Sequence, residues 1–191
     1  MENHALKQTT VLVAVLVLIV TGGQVRGQQN DVSGSKPLIS SAEDLQKPAV
    51  EVRSQSQVPP RLPSFLPYLD DSAHVYLTSK DIGPSGYDLE LGFDRNCEGQ
   101  HVCFYASFQG RNALVNLSEV KPVRVKLRNG IRGWFYPPQI GAYCSNSSIR
   151  WAERGFYYSI EMKCENRGTL VKLANSAISV RQQFAHGGSR Y

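Results

Sequence analysis

Two stretches of the chain share one pattern: an alternating apolar and polar run, a turn pair ending in glycine, and a second alternating run. The first is Val123–Tyr136 around Asn129-Gly130, and the second is Ile149–Met162 around Arg154-Gly155. Period-two alternation marks a strand with one buried face, and Asn-Gly favours a tight hairpin turn because both residues tolerate positive φ. A two-residue loop at Asn129-Gly130 sets Val125 opposite Trp134 and Val123 opposite Tyr136. Arg124, Lys126 and Arg128 then share the other side with Phe135. In the second hairpin the same geometry pairs Trp151 with Tyr158 and Ile149 with Ile160, an aromatic and β-branched match. Arginine is less comfortable than asparagine at positive φ, so a longer bulged turn is the alternative there.

Further strands are expected upstream. Val75-Tyr76-Leu77 reads as a short one. Tyr87, Leu89, Leu91 and Phe93 alternate with Asp88, Glu90 and Gly92, and His101–Gln109 is strand-like again. Near the end, Leu170, Leu173, Ala174, Ala177 and Ile178 fall at helical spacing, with Asn166 or Thr169 placed to cap the start. The expected fold is α+β: an antiparallel sheet of about six strands with one C-terminal helix packed on its apolar face, over residues 65–181.

The flanking segments have a different texture. Val11–Val20 is an unbroken apolar run of ten residues, about half of what a helical membrane span needs. With Lys7 before it and Thr21-Gly22-Gly23 and Val25-Arg26-Gly27 after it, the pattern is that of a secretory signal at 1–27, cleaved after Gly27 or Gly23, with an uncleaved membrane anchor as the alternative. Residues 28–64 carry scattered Ser, Gln and Pro with no sustained period and no aromatic, which predicts a disordered spacer. A short helix at Ala42–Gln46 is the one local exception. Residues 182–191 read as a loose tail.

Export makes oxidised cysteines the default. Cys97 and Cys103 flank a turn between two strands, so their pairing staples a loop. Cys144 precedes one strand of the second hairpin and Cys164 follows the other, which brings those two together. Four cysteines permit three pairings, and this is the expected one. A zinc site with His101 is the alternative, but neither cysteine gap has the usual ligand spacing. No metal and no cofactor is expected.

Sequence motifs for nucleophilic hydrolases, zinc proteases, phosphate loops and dinucleotide sites are all missing. His74 and Asp70-Asp71 have no spacing that ties them to a serine, and His186 lies in the tail. Asp88 and Glu90 share one strand face, whereas a glycosidase pair faces across a cleft. The remaining surface feature is cationic: Lys121, Arg124, Lys126, Arg128 and Arg132, with Phe135 and Tyr157 as stacking area. It suits a polyanion. The formal net charge of +5 over 191 residues is no nucleic-acid signature, and no nucleic-acid partner is expected. The reading that follows is an exported, non-enzymatic module binding an envelope component or partner, with an anionic envelope polymer or an envelope protein as the candidates. A carboxylate hydrolase of envelope polymers and a purely structural envelope protein are the alternatives. Asn116-Leu117-Ser118 and Asn146-Ser147-Ser148 fit the glycosylation sequon.

Residues 87–178 resemble small exported proteins of unknown function, mainly cyanobacterial. The matching elements are Tyr87–Leu91 with Cys97-Glu98-Gly99 and Cys103, then Asn129-Gly130-Ile131-Arg132-Gly133-Trp134-Phe135 and Gly141-Ala142-Tyr143-Cys144. Ile149-Arg150-Trp151, Gly155–Ile160 and Leu170–Ile178 complete the pattern. The Trp hairpin running into a Leu-Ala-Asn-Ser-Ala helix is also similar to small outer domains of some bacterial sporulation and anti-sigma membrane proteins. In the exported family a cysteine stands where this chain has Ile140. The resemblance therefore implies a relocated bridge, Cys144–Cys164. It implies localisation and fold, and no catalytic residues.

Overall fold

The computed structural model describes residues 38–69, 74–97, 100–113, 121–141 and 143–179. The expected signal at 1–27, residues 28–37 of the expected spacer, Asp70-Asp71, the Asn116 sequon and the tail at 182–191 lie outside the described residues.

The elements in chain order are β1 (Leu38–Ile39), α1 (Gln46–Gln55), β2 (Val75–Gly83), β3 (Gly86–Gly92) and β4 (Phe104–Arg111). They continue with β5 (Val123–Lys126), β6 (Arg132–Tyr136), β7 (Asn146–Glu153), β8 (Phe156–Lys163) and α2 (Arg167–Ser179). The strands form one antiparallel sheet in the order β1-β2-β3-β4-β8-β7-β6-β5. Two meanders, β1–β4 and β5–β8, are thus joined where β4 pairs with β8. The sheet has eight strands rather than about six, and one of them, β1, comes from the segment expected to be disordered.

One face of the sheet is apolar and carries both helices. Its side chains include Leu77, Tyr87, Leu89, Leu91, Phe108, Phe135, Ile149, Trp151, Tyr158 and Ile160, all buried. Helix α2 contributes Leu170, Leu173, Ala174, Ala177 and Ile178 to the same core, as its spacing demands. Asn166 caps it: its Oδ1 accepts from the Thr169 amide at 3.1 Å.

The spacer expectation for 28–64 fails over 38–64. Ser41 caps a 3₁₀ turn at Ala42–Leu45, with Asp44 reaching back to the Ser41 amide at 2.9 Å, and α1 follows directly. Pro48 sits in the first turn of α1, where its missing N–H costs nothing. Ile39, Leu45, Ala49, Val52, Val58 and Leu62 are buried in the core. Their spacing follows no single period because the segment passes from strand to 3₁₀ turn to helix to coil. Burial of this kind has no periodic signature in sequence.

The second hairpin has its expected register, with Ile149 opposite Ile160 and Trp151 opposite Tyr158. The loop is two residues long, and Arg154 (φ 54°) and Gly155 (φ 86°) both take the left-handed region. No bulge is present.

The first hairpin is shifted by one residue from its expected register. Arg124 faces Trp134, Val125 faces Gly133 and Val123 faces Phe135. The Leu127 amide donates to the Ile131 carbonyl, so the loop spans three residues, Arg128–Gly130. Leu127 is buried, and a Cβ on Gly133 would come within 2.8 Å of its Cδ1, so only glycine leaves room for it. Burial of Leu127 outweighs the tighter two-residue turn. The shift puts no cation in the core; it changes which side chains of β6 join the cations of β5.

Cys97 bonds Cys103 and Cys144 bonds Cys164, each pair with Cα atoms 5.6 Å apart. All four cysteines are therefore committed to disulfides, which leaves no thiolate for a zinc ion. Replacing both Cys144 and Cys164 by serine should lower unfolding free energy by about 3 kcal/mol, against about 2 kcal/mol for the shorter Cys97–Cys103 loop. Urea unfolding of the two double variants checks the order.

Candidate functional site

Residues directly opposite each other in an antiparallel sheet point to the same side. The registers therefore define one row across the uncovered face: Arg124 on β5, Trp134 on β6, Arg150 on β7, Ser159 on β8, Gln109 on β4, Asp88 on β3 and Asp81 on β2. A second pair, Lys126 and Arg132, lies beside its cationic end. Both described helices pack on the opposite face, so among the described residues this face has no helix over it. One end is cationic and aromatic, the middle neutral and polar, and the other end acidic.

Of the expected polyanion residues, Arg124, Lys126 and Arg132 are exposed and share this face. Lys121 is exposed ahead of β5. Arg128 belongs elsewhere: its amide donates to Asn175 Oδ1 at 2.7 Å and its guanidinium to the Ser179 hydroxyl, which ties the hairpin tip to α2. Phe135 is a correction as well. It is buried in the core, because the shifted register turns it inward and turns Trp134 outward. Trp134 is 38% exposed. Tyr157 lies on the open face, but opposite Arg111 and Ala152 and away from the hairpin.

Two members were missed in the sequence. Arg150 stands between the inward Ile149 and Trp151, and strict alternation alone would have placed it outward. Its guanidinium carbon sits 4.4 Å from the centre of the Tyr136 ring, an attraction between the cation and the ring's negative face. This contact fixes the arginine before any ligand arrives. The second is Trp134, which a two-residue turn would set on the opposite side of the sheet from Arg124.

At the acidic end, the Asp88 carboxylate accepts from Gln109 Nε2 at 2.8 Å and lies 3.7 Å from the Arg111 guanidinium. Burial pushes its pKa up to about 6, with Glu90 and Asp81 adding to the rise and Arg111 and Gln109 opposing it. A carboxyl with a raised folded pKa favours folding most at low pH, and that benefit is lost as pH rises through about 6. Asp88→Asn should therefore raise the melting temperature at pH 7–8 and change it little near pH 4, an outcome that thermal melts across that range will check. Asp81 stands next to Asp88 on the neighbouring strand, and Glu90 is two residues along β3. These carboxylates share one sheet face and do not oppose each other across a cleft.

The two described histidines add no chemistry to this face. His101 is exposed within the Cys97–Cys103 loop, where its carbonyl accepts from Lys163 Nζ at 3.0 Å, and His74 is exposed ahead of β2. No group of three or more His, Cys, Asp or Glu side chains among the described residues is placed to hold a metal ion. No described helix is long and apolar enough to cross a membrane. The Asn146 side-chain amide of the second sequon donates to Glu161 at 2.7 Å. Two disulfides suit an oxidising environment. No protein-family model, curated protein or solved structure matches this chain.

Proposed function

We propose that this chain is an exported, non-enzymatic module that binds an anionic component of the cell envelope through the β5–β7 end of its open sheet face. The observation that carries this reading is the cross-strand row Arg124–Trp134–Arg150, with Lys126 and Arg132 beside it. Four cations around one exposed indole supply both long-range attraction and a contact surface, and strands hold them more firmly than a loop would. Export accords with the two disulfides and with the short apolar run at Val11–Val20.

The test is charge reversal. The triple variant Arg124→Glu, Lys126→Glu, Arg132→Glu should lose at least about tenfold in affinity for purified anionic envelope polymer, a change of about 1.4 kcal/mol. Its melting temperature should stay near that of the parent, since the three side chains are exposed. Binding of the parent should also weaken steeply with added salt. Unchanged binding by the folded triple variant would remove this face from the function.

A further inference from the structure

The geometry points to a polysaccharide carrying uronic acids as the anionic ligand, laid across the strands rather than along them; this rests on the reading of the open face as a polymer-binding surface. Adjacent strands are about 4.8 Å apart, close to the length of one pyranose unit in a glycan chain. A sugar chain running perpendicular to the strands therefore meets one member of the row with each unit. Over β5, β6 and β7 those members are Arg124, Trp134 and Arg150.

Each residue type fits one part of an acidic sugar. A guanidinium offers two parallel N–H donors that match the two oxygens of a carboxylate. An exposed indole offers a broad flat face against which the C–H face of a pyranose ring can lie. A polymer of phosphates has no such ring, and a bilayer headgroup surface has no row of units at strand spacing. Arg150 is already fixed by the Tyr136 ring, which reduces the ordering needed on binding.

The rest of the row sets the extent of the site. Ser159 and Gln109 follow on β8 and β4 and offer neutral hydrogen-bonding groups for sugar hydroxyls. Asp88 and Asp81 come next and repel any further carboxylate. The charged part of the ligand thus lies over β5–β7, and the chain leaves the sheet before β3.

The experiment uses the full chain and four probes: polygalacturonate, its methyl ester, polyphosphate, and vesicles rich in phosphatidylglycerol. The chain has two tryptophans and Trp151 is buried, so an emission shift on adding polymer reports Trp134. Polygalacturonate should bind with a blue shift, and the neutral methyl ester should bind at least about tenfold more weakly. Trp134→Ala should cost at least about tenfold toward polygalacturonate and clearly less toward polyphosphate, with a thermal melt confirming the fold. Arg150→Ala should also lower polygalacturonate affinity. Equal binding of polyphosphate and polygalacturonate, indifferent to Trp134, would overturn the uronate assignment and leave the anion-binding reading standing. A preference for the vesicles would do the same. Failure of all four probes to bind would remove both.

Discussion

Replacing Trp151 by alanine should lower the unfolding free energy by about 3–5 kcal/mol, a large part of what holds a domain of this size together. The indole is 1% exposed and stacks on Tyr158 with ring centroids 5.4 Å apart. Its other cross-strand neighbour is Gly133, which has no side chain with which to close a cavity. That position of β6 therefore supplies no side chain of its own to refill the void. Trp151→Phe should cost clearly less, for two reasons. The ring still fills most of the space, and the buried Nε1 has no protein hydrogen-bond partner to lose. Urea unfolding of the two variants gives the comparison; an alanine variant within 1 kcal/mol of the parent would mean the core closes up around the gap, with the threshold set well below about 3 kcal/mol.

Arg61→Ala should be nearly as damaging, at about 3 kcal/mol, and it reads a different part of the molecule. The Arg61 guanidinium makes two hydrogen bonds of 2.9 Å to the Glu153 carboxylate, with side-chain exposures of only 9% and 15%. The Arg61 amide donates to the Tyr87 hydroxyl at 2.8 Å. One residue thus ties the segment after α1 to the tip of the β7–β8 hairpin and to β3. Removing the arginine leaves the carboxylate largely dehydrated without its partner, and that uncompensated charge is the main cost. The double variant Arg61→Met, Glu153→Leu should recover most of the loss, since two apolar side chains need no pairing. A free segment at 38–64 would leave Arg61→Ala neutral, so the urea midpoint of this one variant decides whether the N-terminal segment is part of the fold in solution.

The sequence made the strands, the helix α2 and the cysteine pairing legible because each follows from a local rule. Trp151 opposite Tyr158 needs only a two-residue turn and period-two alternation. Helix α2 needs only its 3.6-residue spacing and Asn166 before it. Cys144 and Cys164 bracket a hairpin whose strands bring their ends together. The failures came where a distant contact decided the outcome. Leu127 sinks over Gly133 and lengthens its turn, which reverses Trp134 and Phe135. Arg128 turns to Asn175 and Ser179, at sequence separations of 47 and 51. Ile39, Leu45, Val52, Val58 and Leu62 look like stray apolar residues in a polar segment until the sheet they cover is assembled. The candidate site suffered most, because a one-residue slip exchanges the two faces of a strand.

The position of β5 at the end of the sheet has a consequence for solubility. Among the described residues no strand pairs with its outer side, so β5 offers unpaired backbone groups of the kind that recruit a strand from another copy. Arg124 and Lys126 on so short an edge discourage that pairing by mutual repulsion between copies. The cations proposed to bind a polymer therefore also guard against aggregation. Replacing them with alanine would remove both roles at once, whereas glutamate keeps the edge charged. Charge reversal separates loss of ligand from strand pairing between copies, and neutralisation does not.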